Sequence, residues 1–266
     1  MSFLTLDNVS YSYPNGFKAV ENVSMSFKKG EAVAIIGQNG AGKTTAVKLM
    51  NGLLKPQEGN VTIDGWNTKD YTTAQISRKV GYVFQNPDDQ IFHSDIYSEI
   101  EFAPKMLGLP PEKIKENVMK AAELAGVVPF LKEHPYNLPF SMRKFVTIAS
   151  VLAMDSSVII LDEPTAGQDL LAMERLGAII RTLTAEGKTV ITITHDMEFV
   201  VNNFDSVIVM ANRKKIAEGN KRDIFWNTEV LMESMLKQPH ISRVSRTLQL
   251  EEKILSIDEM IHNLQR

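Results

Sequence analysis

The sequence predicts an α/β fold that contains a mainly parallel sheet. Three apolar segments, residues 31–36, 157–161 and 189–194, have the length and composition of buried strands. Each is followed by residues that suit a polar site, namely a glycine-rich loop, a pair of carboxylates and a histidine. Because ligands of α/β folds bind at the carboxyl ends of the strands, these residues are expected to form one site.

The glycine-rich loop fits the pattern G-x-x-x-x-G-K-[ST], whose backbone N–H groups cradle phosphate oxygens. The strand precedes it, and residues 45–54 follow with an apolar face at helical spacing. Lys43 is expected to neutralise β- and γ-phosphate charge, and Thr44 to offer its hydroxyl to Mg²⁺. The predicted triphosphate site comprises Gly37, Gln38, Asn39, Gly40, Ala41, Gly42, Lys43, Thr44 and Thr45.

Composition narrows the class of protein. The chain has 266 residues, of which 44% are apolar and 23% charged, as in soluble globular proteins of one or two domains. It has no cysteine, which excludes disulfides and thiolate metal sites. A net charge of −3 argues against nucleic acid as the main ligand. No apolar run approaches the roughly 20 residues of a membrane span, so we expect no direct span and membrane association only through protein partners.

The N-terminal segments predict an antiparallel piece beside the main sheet. Residues 3–6, 9–13 and 19–27 are short strand-like runs separated by turn residues. Tyr13 lies on the second run, near the phosphate loop in sequence. Its ring can stack on a nucleotide base, but the pattern fits a tyrosine on a half-buried strand equally well.

The middle of the chain predicts a block of helices between two strands. Residues 80–84 form a buried strand that ends at Gln85, where a loop leaves the ligand-binding edge of the sheet. Residues 96–134 and 137–152 have apolar positions at helical spacing. The expected helix starts are a capping box at Ser98 and Glu101 and a first helical position at Pro139.

Three polar residues at strand ends predict hydrolytic chemistry. Next to a phosphate loop, Asp162 is expected to hold Mg²⁺, while Glu163 faces the γ-phosphate and orients or deprotonates water. His195 can hydrogen-bond the γ-phosphate and position the attacking water. A solvated acidic turn and a surface histidine are the alternatives, and the phosphate loop disfavours both.

The C-terminal segment again has helical spacing, divided by Pro239. An apolar seam there is too short for an independent coiled coil, so we expect it to pack on the same chain or on a partner. The seam comprises Leu250, Ile254, Ile257, Ile261 and Leu264.

The order of these signals resembles the ATP-binding cassette (ABC) ATPases over residues 1 to about 220. The matching positions are Tyr13 as the base-stacking aromatic, residues 37–45 as Walker A, Gln85 as the Q-loop glutamine with a catalytic and a metal-binding role, Asp162 as Walker B, Glu163 as the catalytic glutamate, residues 166–169 as the D-loop and His195 as the switch histidine. The resemblance implies a P-loop NTPase with a RecA-like core, an antiparallel β subdomain, an inserted helical subdomain at about 86–155, and a C-terminal helical extension at 221–266 that can contact a dimer partner.

Within that family, residues 85–92 and 101–109 are similar to the energy-coupling factor (ECF) transporter ATPases. This resemblance implies a peripheral subunit at the cytoplasmic face of the cell membrane that binds ATP and Mg²⁺ and powers uptake of vitamins or metal ions. Its implied partners are a second ABC ATPase subunit, a transmembrane scaffold and a substrate-binding membrane protein.

One segment departs from the family. The signature Leu-Ser-Gly-Gly-Gln is expected at residues 138–142, where the chain reads Leu-Pro-Phe-Ser-Met. In the family this segment reaches the γ-phosphate on the other subunit of a head-to-tail dimer. Pro139 has neither a hydroxyl nor an N–H, and Phe140 is bulky where glycine allows close approach. We therefore expect an asymmetric heterodimer with one hydrolysing site.

Three alternatives stay open at this point. A conventional ABC importer ATPase differs from the ECF type only in residues 86–92 and 101–109. A mainly regulatory subunit would suit the altered signature, although the presence of Glu163 and His195 argues against it. An ABC protein acting on nucleic acid or ribosomes usually has tandem cassettes or basic arms, and neither is present in this sequence.

Overall fold

The computed structural model describes residues 2–250 and 253–265. These residues form two sheets with helices packed around them. In chain order the strands are β1 (Leu4–Ser12), β2 (Lys18–Phe27), β3 (Ala32–Ile36), β4 (Glu58–Ile63), β5 (Trp66–Asn67), β6 (Val80–Val83), β7 (Val158–Asp162), β8 (Thr189–Ile193), β9 (Ser206–Ala211) and β10 (Lys214–Asn220).

The larger sheet confirms the predicted α/β class. Its order is β10-β9-β3-β8-β7-β6, and only the edge strand β10 runs antiparallel to its neighbour. Every residue of β7 and β8 is buried. Central parallel strands are covered on both faces and so read as continuous apolar runs, which is why they are evident in the sequence. The order places the ends of β3, β8 and β7 side by side.

The smaller sheet is antiparallel, with the order β2-β1-β4-β5. The sequence predicts two strands at residues 3–6 and 9–13, whereas the structure has the single strand β1. Its register with β2 shifts between Leu6 and Val9, and Asn8 has a φ of 49°. A bulge at this position absorbs the break in alternation, so one strand continues through it.

The helices surround both sheets. They are α1 (Lys43–Met50), α2 (Thr73–Ile76), α3 (Ile96–Met106), α4 (Pro111–Ala125), α5 (Phe140–Leu152), α6 (Leu170–Ala185), α7 (Met197–Asn203), α8 (Lys221–Trp226), α9 (Thr228–Glu233), α10 (His240–Thr247) and α11 (Ile257–Leu264). Helix α1 ends earlier than the predicted residue 54, because Gly52 has a φ of 74°, a conformation that ends helices. No helix in the described ranges has the length and apolarity that crossing a membrane requires.

Helices α3, α4 and α5 lie between β6 and β7 in the chain and pack against each other and the sheet. The predicted capping box at Ser98 and Glu101 is wrong. Asp95 caps α3, and its carboxylate accepts the Ser98 N–H at 2.8 Å and the Ser98 hydroxyl at 2.7 Å. Pro139 is the N-cap of α5 with ψ at 154°, so Phe140 is the first helical residue, one position later than predicted.

The C-terminal seam is not one helix surface, so that prediction is wrong. Leu250 follows α10, Ile254 lies in an extended connection, and the other three residues are in α11. Ile254 is 1% exposed, whereas Ile257, Ile261 and Leu264 are 48–66% exposed. The break arises because the chain folds back between α10 and α11 and buries one end of the seam.

The fold-back is held by polar contacts to α8 and α10. The Ile254 carbonyl accepts the Trp226 indole N–H at 3.3 Å and the Ser242 hydroxyl at 2.7 Å. Arg222 of α8 pairs with Glu259 of α11 at 2.6 and 3.1 Å. The extension therefore packs on its own chain through these contacts.

Candidate active site

The phosphate loop joins β3 to α1 and places a buried cation at the helix N-terminus. The Lys43 amine donates to the carbonyls of Gly37 at 2.6 Å and Gln38 at 3.0 Å, and the side chain is buried. Burial lowers the pKa of the Lys43 amine, and the carboxylates of Glu163 and Asp162 oppose that shift. Because the helix dipole is positive at this end, the loop and the amine together favour a polyphosphate.

Two glycines of the loop are required by neighbouring backbone. A Cβ at Gly37 would lie 2.0 Å from the Met210 carbonyl oxygen, and one at Gly42 would lie 2.4 Å from the Ala19 carbonyl oxygen. Gly40 has open space around it, and only its φ of 79° favours glycine. The loop can therefore adopt this path only without side chains at its first and last glycine.

Asp162, at the end of β7, has the environment of a magnesium ligand. Its Oδ2 accepts the Tyr82 hydroxyl at 2.7 Å, while its buried Oδ1 has no hydrogen-bond partner in the described part of the chain. Burial raises the pKa of Asp162, and hydrogen bonds from the Tyr82 and Thr44 hydroxyls oppose the shift. Burial also raises the pKa of Tyr82, which keeps the phenol protonated as a donor.

This donor set fits Mg²⁺. The structure joins Asp162 to Thr44, and no group of three or more metal-ligating His, Cys, Asp or Glu side chains occurs among the described residues. Mg²⁺ typically takes one or two carboxylates, water and substrate phosphates rather than an all-protein cage. The free Oδ1 of Asp162 is an acceptor that such an ion would satisfy.

Glu163 and His195 contact each other directly. The Glu163 Oε2 lies 2.8 Å from the His195 Nδ1, although the two residues end different strands. Glu163 is buried and has a φ of 48°. Strained backbone of this kind is common at functional sites. The histidine therefore orients the carboxylate that the sequence predicts to activate water.

One open cleft brings the predicted residues together. It is lined by Phe17, Ala19, Asn39, Gly40, Ala41, Gly42, Lys43, Thr44, Thr45, Gln85 and Glu163. Gln85 is exposed and follows β6 by two residues. The cleft thus combines phosphate-binding, metal-binding and water-activating groups from three separate regions of the sequence.

Tyr13 and Phe17 divide the aromatic part of the site. The Tyr13 hydroxyl lies 3.1 Å from the Thr45 hydroxyl, and its ring packs edge-on against Tyr11. Base stacking by Tyr13 stays a prediction. Phe17 lines the cleft and is 53% exposed, and the sequence analysis does not identify it. The available signal is an exposed aromatic directly after the turn at residues 14–16.

The sequence profile of the ABC transporter family matches residues 20–166, which is more than half of the chain. This chain is a member of the ABC transporter ATP-binding family. As an ABC ATPase it binds and hydrolyses ATP. The family match includes the phosphate loop, Asp162 and Glu163, whose geometry is described above.

Named relatives of this ABC ATPase cover nearly its whole length. A putative ABC transporter ATP-binding protein of Pyrococcus furiosus is 38% identical over 98% of this chain and 99% of its own length. An energy-coupling factor transporter ATP-binding protein of Methanothermobacter thermautotrophicus is 36% identical over 98% of this chain and 86% of its own. A putative ABC transporter ATP-binding protein of Caldanaerobacter subterraneus is 41% identical, but this chain spans only 44% of its length.

Solved structures show the same fold. CbiO1 of Clostridium perfringens, described as part of the ABC transporter complex CbiONQ, has a TM-score of 0.79 and 32% identity, with 94% of this chain and 99% of that chain covered. An ATP-binding cassette in a post-hydrolysis dimer bound to ADP and Pi has a TM-score of 0.74 and 27% identity, with 82% and 98% covered.

The altered signature of this ABC ATPase contacts its own D-loop. Phe140 is 40% exposed, and a Cβ at Gly167 would lie 3.7 Å from the Phe140 ring. The Gln168 amide donates to the Ser141 carbonyl at 3.5 Å. Gln168, for which the sequence analysis offers no role, therefore lies beside the segment that replaces the family signature.

Proposed function

We propose that this ABC ATPase is the energising subunit of an ECF-type importer for a vitamin or metal-ion micronutrient. The observation that carries the proposal is the 2.8 Å contact of Glu163 with His195 at a cleft that also contains Lys43 and Gln85. The ECF type is supported by the relative named as an ECF transporter ATP-binding protein and by the likeness to CbiO1.

The residues have distinct roles in this proposal. Lys43 and the loop N–H groups bind the β- and γ-phosphates, and Thr44, Gln85 and Asp162 hold Mg²⁺. Bound Mg²⁺ supplies neutralisation of charge that develops on the phosphates. Glu163 orients or deprotonates the attacking water, because its buried carboxylate faces the cleft and the His195 ring fixes its position.

An exposed aromatic patch supports docking to membrane partners. Phe92 is 64% exposed and meets the Phe102 ring at 4.9 Å, with Met106 on the same helix 70% exposed. Buried Glu99 accepts the N–H groups of Phe92 at 3.0 Å and His93 at 2.9 Å, so the patch is held on a fixed loop. Large exposed apolar patches mark interaction sites. We assign the patch to a transmembrane scaffold, which joins a substrate-binding membrane subunit and keeps this chain peripheral at the cytoplasmic face.

The altered signature supports an asymmetric heterodimer with a second ABC ATPase. Pro139 caps α5 without any side-chain hydrogen bond, and Phe140 presents a ring at the helix start. A partner with an intact signature completes the site that contains Glu163 and His195. The partner's nucleotide then faces Pro139 and Phe140 and is mainly held rather than hydrolysed.

Native mass spectrometry of the Glu163→Gln variant with saturating ATP and Mg²⁺ tests the dimer. We expect a monomer that dimerises only when a second cassette protein with an intact signature is added. Lys43→Ala is the control, because it removes the phosphate contact and should abolish ATP-dependent association. A stable ATP-bound homodimer would contradict the asymmetric arrangement.

Copurification from membranes tests the importer type. We expect the tagged chain to bring down a transmembrane scaffold and a separate small membrane protein, and Phe92→Ser to release both without changing ATP binding. Recovery of a permease pair with an external binding protein would instead favour a conventional importer. Loss of ATP binding in Glu163→Gln would show that the carboxylate is structural.

A further inference from the structure

Lys144 is a buried cation whose position the proposed mechanism does not explain. It lies on α5 and is 0% exposed. Its amine donates to the carbonyl of Phe84 at 3.0 Å and to the carbonyl of Gln85. In the described part of the chain no carboxylate forms an ion pair with it. A buried ammonium is therefore held mainly by the backbone of the segment that carries Gln85.

A purely structural role would not need a charge at this position. Burial lowers the pKa of Lys144 to about 8, against the opposing charges of Asp162 and Glu163. Taking a charged group out of water is costly, and an apolar side chain of similar shape often packs as well or better. What lysine adds here is two directed hydrogen bonds to consecutive carbonyls of the loop.

Neighbouring contacts make the same loop and helix one unit. Arg143, the preceding residue of α5, forms an ion pair with Asp88 at 2.9 Å. The Gln90 side chain accepts the Phe84 N–H at 3.0 Å, which closes the loop on itself. Lys144 thus contacts the carbonyl of Gln85 from a helix whose first residue is Phe140 at the altered signature.

We propose that Lys144 is a positioning residue that fixes the backbone of Gln85 to helix α5, so that the Gln85 amide is held over the Mg²⁺ of the bound nucleotide. The inference rests on the proposed function, because it needs the metal-binding role of Gln85. Lys144 itself touches neither nucleotide nor metal in this scheme.

Nucleotide titrations with and without Mg²⁺ test this role in the full chain. A fluorescent ATP analogue gives the gain in affinity that Mg²⁺ produces, for the wild type, Lys144→Met, Gln85→Ala and the double variant. We expect each single substitution to reduce this gain about tenfold, and the double variant to match the singles within about twofold, since residues acting through one contact are not additive.

Lys55 offers a matched control. Its amine also donates to two backbone carbonyls, those of Thr68 and Tyr71, but it lies away from the cleft. We expect Lys55→Met to lower thermal stability without changing the Mg²⁺ gain. If Lys144→Met does not fold, Lys144→Gln keeps a shorter neutral donor and serves in its place.

The outcomes separate this inference from the proposed function. A Lys144→Met protein that loses stability but keeps the full Mg²⁺ gain, while Gln85→Ala loses it, overturns the positioning role alone. Multiplying effects in the double variant do the same. An unchanged gain in Gln85→Ala removes the metal role of Gln85 and with it both proposals.

Discussion

Restoring the family signature should convert this chain into a self-associating ATPase. The perturbation is Pro139→Ser with Phe140→Gly in a Glu163→Gln background, which blocks hydrolysis. The serine supplies an N-cap hydroxyl at the start of α5, and the glycine removes a ring that is 40% exposed and lies 5.6 Å from the Arg143 guanidinium.

The variant should remain folded. Loss of the partly buried ring costs about 1–2 kcal/mol, and loss of its contact with Arg143 costs about 0.5–1 kcal/mol. The new N-cap returns about 1 kcal/mol. The net loss is small beside the roughly 5–15 kcal/mol stability of a typical domain.

The gain in dimerisation should be much larger. Each restored hydrogen bond to a charged γ-phosphate contributes about 1.5–3 kcal/mol, and a symmetric dimer contains two of them. Together they give about 3–6 kcal/mol, which tightens the dimer constant by about two to four powers of ten. Sedimentation velocity over a concentration series, with ATP and Mg²⁺, measures this constant.

Pro139→Ala with Phe140→Gly is the matched control, because it removes the same bulk without supplying a hydroxyl. We expect it to recover only part of the gain. The reasoning fails if the Glu163→Gln parent already dimerises as tightly as the restored variant, since the native segment would then clamp phosphate unaided.

Two further predictions concern the fold. Gly37→Ala should prevent soluble folding or lower the melting temperature strongly, because its Cβ would lie 2.0 Å from the Met210 carbonyl oxygen. Gly40→Ala, at a φ of 79° in open space, should cost only about 1 kcal/mol, and equal losses in thermal melts would contradict the steric account. Glu259→Gln should loosen the C-terminal extension, because a hydrogen bond from Arg222 holds the pKa of that carboxyl below its ordinary 4.5. The contribution, about 0.5–1 kcal/mol for a partly exposed pair, is present above that ordinary pKa and lost as pH falls through the lowered one; a melting difference between wild type and variant that is the same at pH 7 and in strong acid would refute it.

Much of the site follows from local sequence. The phosphate loop needs glycines at fixed spacing between a strand and a helix, and the buried strands β7 and β8 end directly at Asp162 and His195. These features arise from backbone conformation and from continuous apolar runs, which depend on few residues close in the chain. The family resemblance and the parallel sheet could therefore be predicted, and both are confirmed.

The sequence by itself determined the chemical groups of the site, and only the tertiary structure decided which of them meet. The pairing of Glu163 with His195, the approach of Phe17 to the cleft and the bonds from Lys144 to the loop at Gln85 join residues far apart in sequence. The broken seam near Ile254 likewise depends on a chain reversal that buries one end of an apolar pattern. Such contacts are set by packing across the whole domain, which spacing along the chain does not encode.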